Sequence, residues 1–145
     1  DLTIDRGTSG GVEVNDCVID QYGHLIGVIT QADWNSSVVT TILDPALELG
    51  GRVARTDEDA VLEGDFTLMQ QGLVRLSFVS EQAKLVTGDQ VTTSGLGGVY
   101  PRGLVVGSIR TLEVEEDGVS RYAQVEPAAD IGGIQYVYVI VDYEE

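Results

Sequence analysis

Residues 88–109 read GDQVTTSGLGGVYPRGLVVGSI, and this stretch decides the fold class. Two runs rich in β-branched and apolar residues, 90–93 and 104–110, flank a segment of glycine and proline. Pro101 has a fixed φ angle, and Gly103 can adopt the positive φ that such turns require. The stretch therefore predicts a β-hairpin whose two strands are joined by a glycine-built turn.

The rest of the chain repeats this pattern of short strands separated by turns. Helix signals are limited to single turns near 46–49 and 81–85, and no room remains for the crossover helices that a parallel sheet needs. Spacing of about 8–12 residues between strands is typical of sandwiches and barrels. The sequence therefore predicts an all-β fold with strands near 11–19, 24–30, 37–43, 51–55, 61–69, 73–79, 90–93, 104–110, 122–125 and 136–141.

A weak internal repeat relates the two halves of the chain. Both copies run from a strand through a glycine-containing turn into a strand with an internal glycine, which marks a bulge or sharp bend. The repeat predicts two small β-barrels: residues 1–45, completed by strands returning from 113–145, and residues 46–112. Chance similarity between hairpins and a single boundary near residue 73 are the alternatives. The matched positions are Asp16, Val18, Gly23, Gly27 and Ile29 with Asp89, Val91, Gly103, Gly107 and Ile109.

Composition and charge exclude several classes of partner. The 145 residues include 24 acidic and 8 basic side chains, for a net charge of −16. Nucleic-acid binding rests on cations that neutralise phosphates, and anionic lipid surfaces attract the same cations, so neither partner is expected. The hydrophobic fraction of 43% is enough for a packed core. No run approaches the ~18 apolar residues of a transmembrane helix.

The single histidine and the single cysteine do not form a predicted catalytic site. His24 follows a turn, and a catalytic triad would need a nucleophile beside it. Cys17 lies close to Asp16 and Asp20, whose charges raise a thiol pKa, so we interpret it as a small buried hydrophobe. An internal disulfide is excluded because the chain has one cysteine.

Two carboxylate clusters and one glycine cluster resemble binding sites only superficially. The acidic residues at 57–59 and 113–117 lack the ligand spacing of a calcium-binding loop. Residues 95–98 lack the Gly-Lys-Ser/Thr that opens the helix of a phosphate-binding loop. No metal or cofactor is therefore predicted.

The central hairpin resembles the signature of the MreC family of bacterial rod shape-determining proteins. That family carries the pattern GD-x-V-x-TSG-x-GG-x-[FY]-P-x-G-[LI]-x-x-G. Residues 11–29, 37–44 and 125–130 also resemble the family's first hairpin, next strand and closing V-x-P-x-x-D, although His24 stands where the family usually has glycine. The structural positions of the signature are Gly88, Asp89, Thr93, Ser94, Gly95, Gly98, Pro101, Gly103 and Gly107.

The resemblance implies two small β-barrels in a chymotrypsin-like arrangement without catalytic residues. It implies a non-enzymatic scaffold of the cell-elongation machinery that organises peptidoglycan synthesis and rod shape. The implied partners are a class B penicillin-binding transpeptidase, MreD, indirectly MreB, and further copies of the protein in dimers or filaments. The implied location is the extracytoplasmic face of the bacterial membrane, with an anchoring N-terminal helix and coiled coil outside this chain.

The turn at Leu96, Val99 and Tyr100 is the predicted partner contact, because it carries apolar groups on a glycine-rich loop. Alternatively, these side chains fold back to plug the end of a barrel. Two other functions stay open at this point. A hydrolase would fit the double-barrel analogy but has one histidine to work with, and a peptidoglycan- or carbohydrate-binding module could use Trp34 and Tyr22.

Overall fold

The structure, a computed structural model, describes residues 2–79, 84–134 and 136–141, and most of these residues lie in β-strands or tight turns. One short helix, α1, and two 3₁₀ turns at Thr8–Gly10 and Ile131–Gly133 are found among them. The strands are β1 (Leu2–Ile4), β2 (Cys17–Ile19), β3 (Leu25–Ala32), β4 (Ser37–Thr41), β5 (Glu48–Val53), β6 (Glu58–Glu63), β7 (Val74–Val79), β8 (Gln90–Thr93), β9 (Val105–Val114), β10 (Arg121–Pro127) and β11 (Tyr138–Val139); α1 is Phe66–Met69.

The strands form two sheets that are antiparallel throughout. The first sheet has five strands in the order β1-β4-β3-β2-β11. The second is a closed barrel of six strands in the order β10-β7-β6-β5-β8-β9. The predicted all-β fold with two β units is confirmed, and the first unit is an open five-stranded sheet in the described part of the chain.

Strand pairing assigns the later strands differently from the sequence-based boundaries. β10 lies within 113–145, which the repeat assigned to the first unit, but it pairs with β7 and β9 in the barrel. In the described residues, β11 is the strand that returns to the first sheet, where it pairs with β2. These pairings join residues far apart in sequence, which local patterns do not encode. The division into domains at 1–45 with 113–145 and at 46–112 stays a prediction.

The run 61–69, predicted as one strand, is a strand followed by a helix. β6 ends at Glu63, and Asp65 then caps α1 by accepting hydrogen bonds from the N–H groups of Thr67 (2.9 Å) and Leu68 (3.0 Å). Aspartate is a favoured N-cap because its carboxylate satisfies the free N–H groups of a first turn. The predicted turn at 81–85 lies mostly outside the described residues. No helix in the described segments has the length and apolar character needed to cross a membrane.

The first sheet is covered on both faces, which explains the continuous apolar run in β3. Leu25 and Val28 pack into the core of the barrel, whereas Ile26 and Ile29 pack into a second apolar cluster on the opposite face. Successive side chains of a strand point to opposite faces, and the extra residue of β3 at Ile26 shifts this alternation, so Leu25 and Val28 share one face. A strand between two cores is apolar on both faces. Each such buried side chain contributes about 1.5–3 kcal/mol.

The internal repeat is confirmed by the pairing within each copy. In both hairpins the valine of the first strand faces the internal glycine of the second strand, and a bulge follows directly. In both, the isoleucine N–H donates to the carbonyl of the first aspartate. The facing pairs are Val18 with Gly27 and Val91 with Gly107. The hydrogen bonds run from the N–H of Ile29 to the carbonyl of Asp16 (2.8 Å) and from the N–H of Ile109 to the carbonyl of Asp89 (2.9 Å).

The internal glycines allow a third strand to approach closely. A Cβ at Gly27 would lie 2.2 Å from the carbonyl oxygen of Thr40 in β4. A Cβ at Gly107 would lie 2.0 Å from the carbonyl oxygen of Glu126 in β10. Each copy of the repeat is therefore a three-stranded unit that depends on glycine at one crossing.

Candidate functional site

Thr93 closes the base of the long turn between β8 and β9. Its Oγ1 donates to the carbonyl of Pro101 at 2.7 Å and accepts from the N–H of Leu104 at 2.9 Å. The N–H of Gly103, whose φ is +89°, donates to the Thr93 carbonyl at 2.9 Å. One buried threonine therefore links both ends of the turn.

Ser94 and Gly95 attach the tip of this turn to the barrel. The N–H of Ser94 donates to the carbonyl of Gly50 in β5 at 3.1 Å, and its Oγ accepts from the N–H of Leu96 at 3.2 Å. Gly95 has a φ of +72°, and a Cβ there would lie 2.7 Å from the Cβ of Arg102. The N–H of Gly98 donates to the Gly95 carbonyl at 3.2 Å. The tip therefore has a defined backbone conformation.

Asp89 is a buried structural carboxylate. Its two oxygens accept from Nε and Nη2 of Arg55 at 2.7 and 2.9 Å, and Oδ2 also accepts from the N–H of Val86 at 2.9 Å. The bond to Arg55 is the main reason that the pKa of Asp89 lies below its ordinary value. Gly88, with a φ of +93°, makes the turn that brings the carboxylate into this position. The carboxylate therefore holds the chain at the entry to β8.

The three predicted contact residues occupy different environments. Leu96 and Val99 are 62% and 49% exposed at the tip of the turn. Tyr100 is half-buried against the barrel core, and this burial raises the pKa of its hydroxyl. Tyr100 thus fits the plug alternative, whereas Leu96 and Val99 present apolar groups to solvent. The partner contact at this turn stays a prediction. Leu96 and Val99 are its exposed residues.

His24 lies at the junction of the two sheets. Its backbone forms an isolated parallel bridge with Val105 of the barrel, and its N–H donates to Oδ1 of Asp20 at 2.9 Å. Its Nδ1 lies 3.3 Å from the other oxygen of Asp20. This partly exposed position after a turn agrees with the sequence-based interpretation.

Cys17 is buried in the core, and it is 1% exposed. Burial, aided by the charge of Asp16, raises the pKa of its thiol to about 12. The thiolate is the reactive form of cysteine, so this thiol is inert at neutral pH. Within 2–79, 84–134 and 136–141, no cluster of three or more histidine, cysteine or acidic side chains is placed to hold a metal ion.

Two surface features were not predicted from the sequence. Phe78 is 79% exposed and has a φ of +60° at the irregular pairing of β7 with β10, although its run LSFV reads as an ordinary strand. The second feature is a cavity of about 770 Å³ that the residues of β1 and β11, the two edge strands of the first sheet, line from both sides. Whether a sheet stays open, and so leaves a cavity between its edge strands, depends on the number and order of its strands. No local sequence motif encodes either of these.

Known proteins are similar to this chain in sequence and in fold. The family model of the rod shape-determining protein MreC, barrel core, matches residues 1–141. The cell shape-determining protein MreC of Bacillus subtilis is 28% identical over 99% of this chain and 54% of its own length. The chain thus spans about half the length of this relative.

Solved structures agree with the family match. A structure of MreC from Listeria monocytogenes has a TM-score of 0.83 and 29% identity, covering 94% of this chain and 65% of that one. The MreC chain in a complex with penicillin-binding protein 2 from Helicobacter pylori has a TM-score of 0.69 and 18% identity, covering 88% and 79%, which shows a common fold. With the family model matching nearly its full length, this chain belongs to the MreC family.

Proposed function

We propose that this chain is the partner-binding β region of a non-enzymatic scaffold that determines cell shape. In this proposal it binds a class B penicillin-binding transpeptidase on the extracytoplasmic face of the membrane and so organises peptidoglycan synthesis. MreD, indirectly MreB, and further copies of the protein are the other proposed partners. Family membership carries the proposal, and the Helicobacter pylori complex of a related fold with a penicillin-binding protein supports the choice of first partner.

The proposed contact is the tip of the turn between β8 and β9. Leu96 and Val99 are exposed apolar side chains on a backbone that Thr93 and Ser94 hold in place. Apolar groups on a preorganised loop lose little conformational entropy on binding, so their burial contributes directly to affinity. The mechanism requires binding energy alone, and no group at the tip is required to react.

The test is the affinity of the full-length protein for the transpeptidase, measured with Leu96→Asp/Val99→Asp. Two carboxylates placed in an apolar contact lose their hydration, so we expect at least a tenfold rise in Kd. Phe66→Asp/Val119→Asp is the matched control, because it adds the same charge at exposed apolar sites elsewhere on the barrel. An unchanged Kd for the first variant, or an equal rise for both, contradicts the proposed contact.

Peptidoglycan or carbohydrate binding is a second candidate. Tyr22 and Tyr136, which are 74% and 73% exposed, line one cavity of about 400 Å³ at the end of the first sheet. Exposed aromatic rings suit stacking against sugar rings. Saturable binding to purified peptidoglycan that Tyr22→Ala/Tyr136→Ala abolishes would favour this function.

A further inference from the structure

The two edges of the first sheet carry backbone groups that lack strand partners in the described structure. β1 pairs with β4 alone, and β11 pairs with β2 alone. The N–H of Ile140 donates to the carbonyl of Cys17 at 2.9 Å, and Val139 faces Val18 in the same ladder. Backbone groups of an antiparallel strand alternate in direction, so the N–H and C=O of Val139 point away from β2. An edge of this kind is a template for a further strand.

These two edges face each other across one opening, which we call the seam. Residues of β1 and of β11 line the same cavity of about 770 Å³, a volume within the ~300–1,000 Å³ of ordinary binding sites. Ile4 lies on one side, Val139 lies on the other, and Val12 also lines the cavity. All three belong to the second apolar cluster or pack against it. The seam therefore leads from solvent to an apolar interior.

Strand direction explains why the seam stays open. Each neighbouring pair in the order β1-β4-β3-β2-β11 is antiparallel, so β1 and β11 run in the same direction. Five such strands cannot close through antiparallel pairs, whereas the six strands of the barrel do. One added strand that runs opposite to both edges would pair with each of them. The seam thus has the direction and the free backbone groups of a strand-addition site.

We propose that the seam binds an extended, basic segment of a partner protein as a sixth strand of the first sheet. Alternate side chains of this segment are apolar and face Ile4, Val12 and Val139. The others face outward beside Tyr136 and Tyr138, which are 73% and 55% exposed and can stack with cations. The net charge of −16 attracts a basic segment.

The experiment measures binding of a fluorescein-labelled peptide, KVKIKVK, to the full-length protein by fluorescence anisotropy. We expect saturable binding in the micromolar range. The same peptide with alternate N-methylated amides has equal charge but cannot pair with both edges, and we expect its Kd to be at least tenfold higher. Equal binding of the two peptides would reveal a general attraction of cations to an acidic protein and would overturn the proposal.

Two variants locate the binding in the seam. Val139→Pro removes the N–H that faces the seam and leaves the bonds of Tyr138 and Ile140 to β2, so we expect at least a tenfold loss of affinity. Tyr136→Lys/Tyr138→Lys should cause a similar loss, whereas the control Phe66→Lys/Phe78→Lys adds the same charge on the barrel and should change Kd less than threefold. Equal effects of the two lysine pairs overturn the proposal.

The remaining outcomes concern the occupant. If KVKIKVK does not bind the full-length protein, the proposal of a partner strand is overturned. This includes the case in which a segment of the same protein already fills the seam. The Leu96→Asp/Val99→Asp variant should bind the peptide with unchanged Kd. The proposal of a strand site at the seam can therefore be wrong while the proposed transpeptidase contact is correct, and the reverse is also possible.

Discussion

Gly107 lies where β9 passes closest to β10, and Gly107→Ala tests whether this crossing holds the barrel together. A Cβ at this position would lie 2.0 Å from the carbonyl oxygen of Glu126, 2.8 Å from its carbonyl carbon and 2.9 Å from the Cα of Pro127. All three are backbone atoms, so no side-chain rotation relieves the contact. Ordinary contact begins at 3.4 Å, so the two strands must separate by about 1.4 Å.

The cost follows from what this separation breaks. The N–H of Ala128 donates to the carbonyl of Val106 at 2.9 Å beside the crossing, and 1.4 Å of separation would break this bond. Loss of one backbone hydrogen bond costs about 0.5–1.5 kcal/mol. Overpacking of the core adds about 1–3 kcal/mol. Alanine also restricts the unfolded chain, which offsets about 0.4–1 kcal/mol of this loss, so the net loss is about 0.5–4 kcal/mol.

Urea unfolding followed by far-ultraviolet circular dichroism measures this loss. With a slope of about 2 kcal/mol per molar urea, a loss of about 2.5 kcal/mol lowers the midpoint by about 1 M. Gly132→Ala is the control, because a Cβ there meets nothing within 4 Å, and its midpoint should stay within about 0.3 M of the parent. A Gly107→Ala midpoint equal to that of Gly132→Ala would refute the close-approach argument.

Two further predictions concern the frame of the long turn. Thr93→Val leaves the Pro101 carbonyl and the Leu104 N–H without the threonine hydroxyl, so we expect a loss of about 1–3 kcal/mol in urea unfolding, whereas Thr93→Ser should keep most of the stability. The hydrogen bond from Arg55 lowers the pKa of Asp89 in the folded state. The ionised carboxylate therefore stabilises the fold at pH values above its unfolded pKa near about 4, and this stabilisation is lost as the pH falls through the folded pKa. Asp89→Asn should therefore flatten the fall of Tm in acid, and an unchanged profile would argue against this ion pair as its source.

The hairpin repeat was predictable because its signals are local. A glycine within a strand reports a bulge or a close approach at that position, and Gly27 and Gly107 both lie at such crossings. The burial of Cys17 and the turn position of His24 also followed from their immediate neighbours. In each case the determining contact lies within a few residues or in the adjoining strand.

Sheet closure was not predictable, because it depends on pairing between distant segments. β10 reads as an ordinary strand, and nothing near Tyr122 or Val125 indicates that it joins the barrel with β7 and β9. The exposed Phe78 was missed for a related reason. Its run has the composition of a core strand, and the irregularity that turns it outward, where β7 has one residue more than the facing stretch of β10, is defined only once the two strands pair.

The surfaces proposed for binding lie where the two copies of the repeat differ. In the second copy, the turn between the paired strands is longer, and Leu96 and Val99 occupy the added length. The sheet that contains the first copy stops at five strands, whereas the barrel that contains the second copy closes, and the seam exposes the cluster around Ile4 and Val139. The glycines common to both copies are explained by backbone geometry alone. Apolar groups that reach solvent have no such explanation within the chain, and burial against a partner strand or loop would supply one.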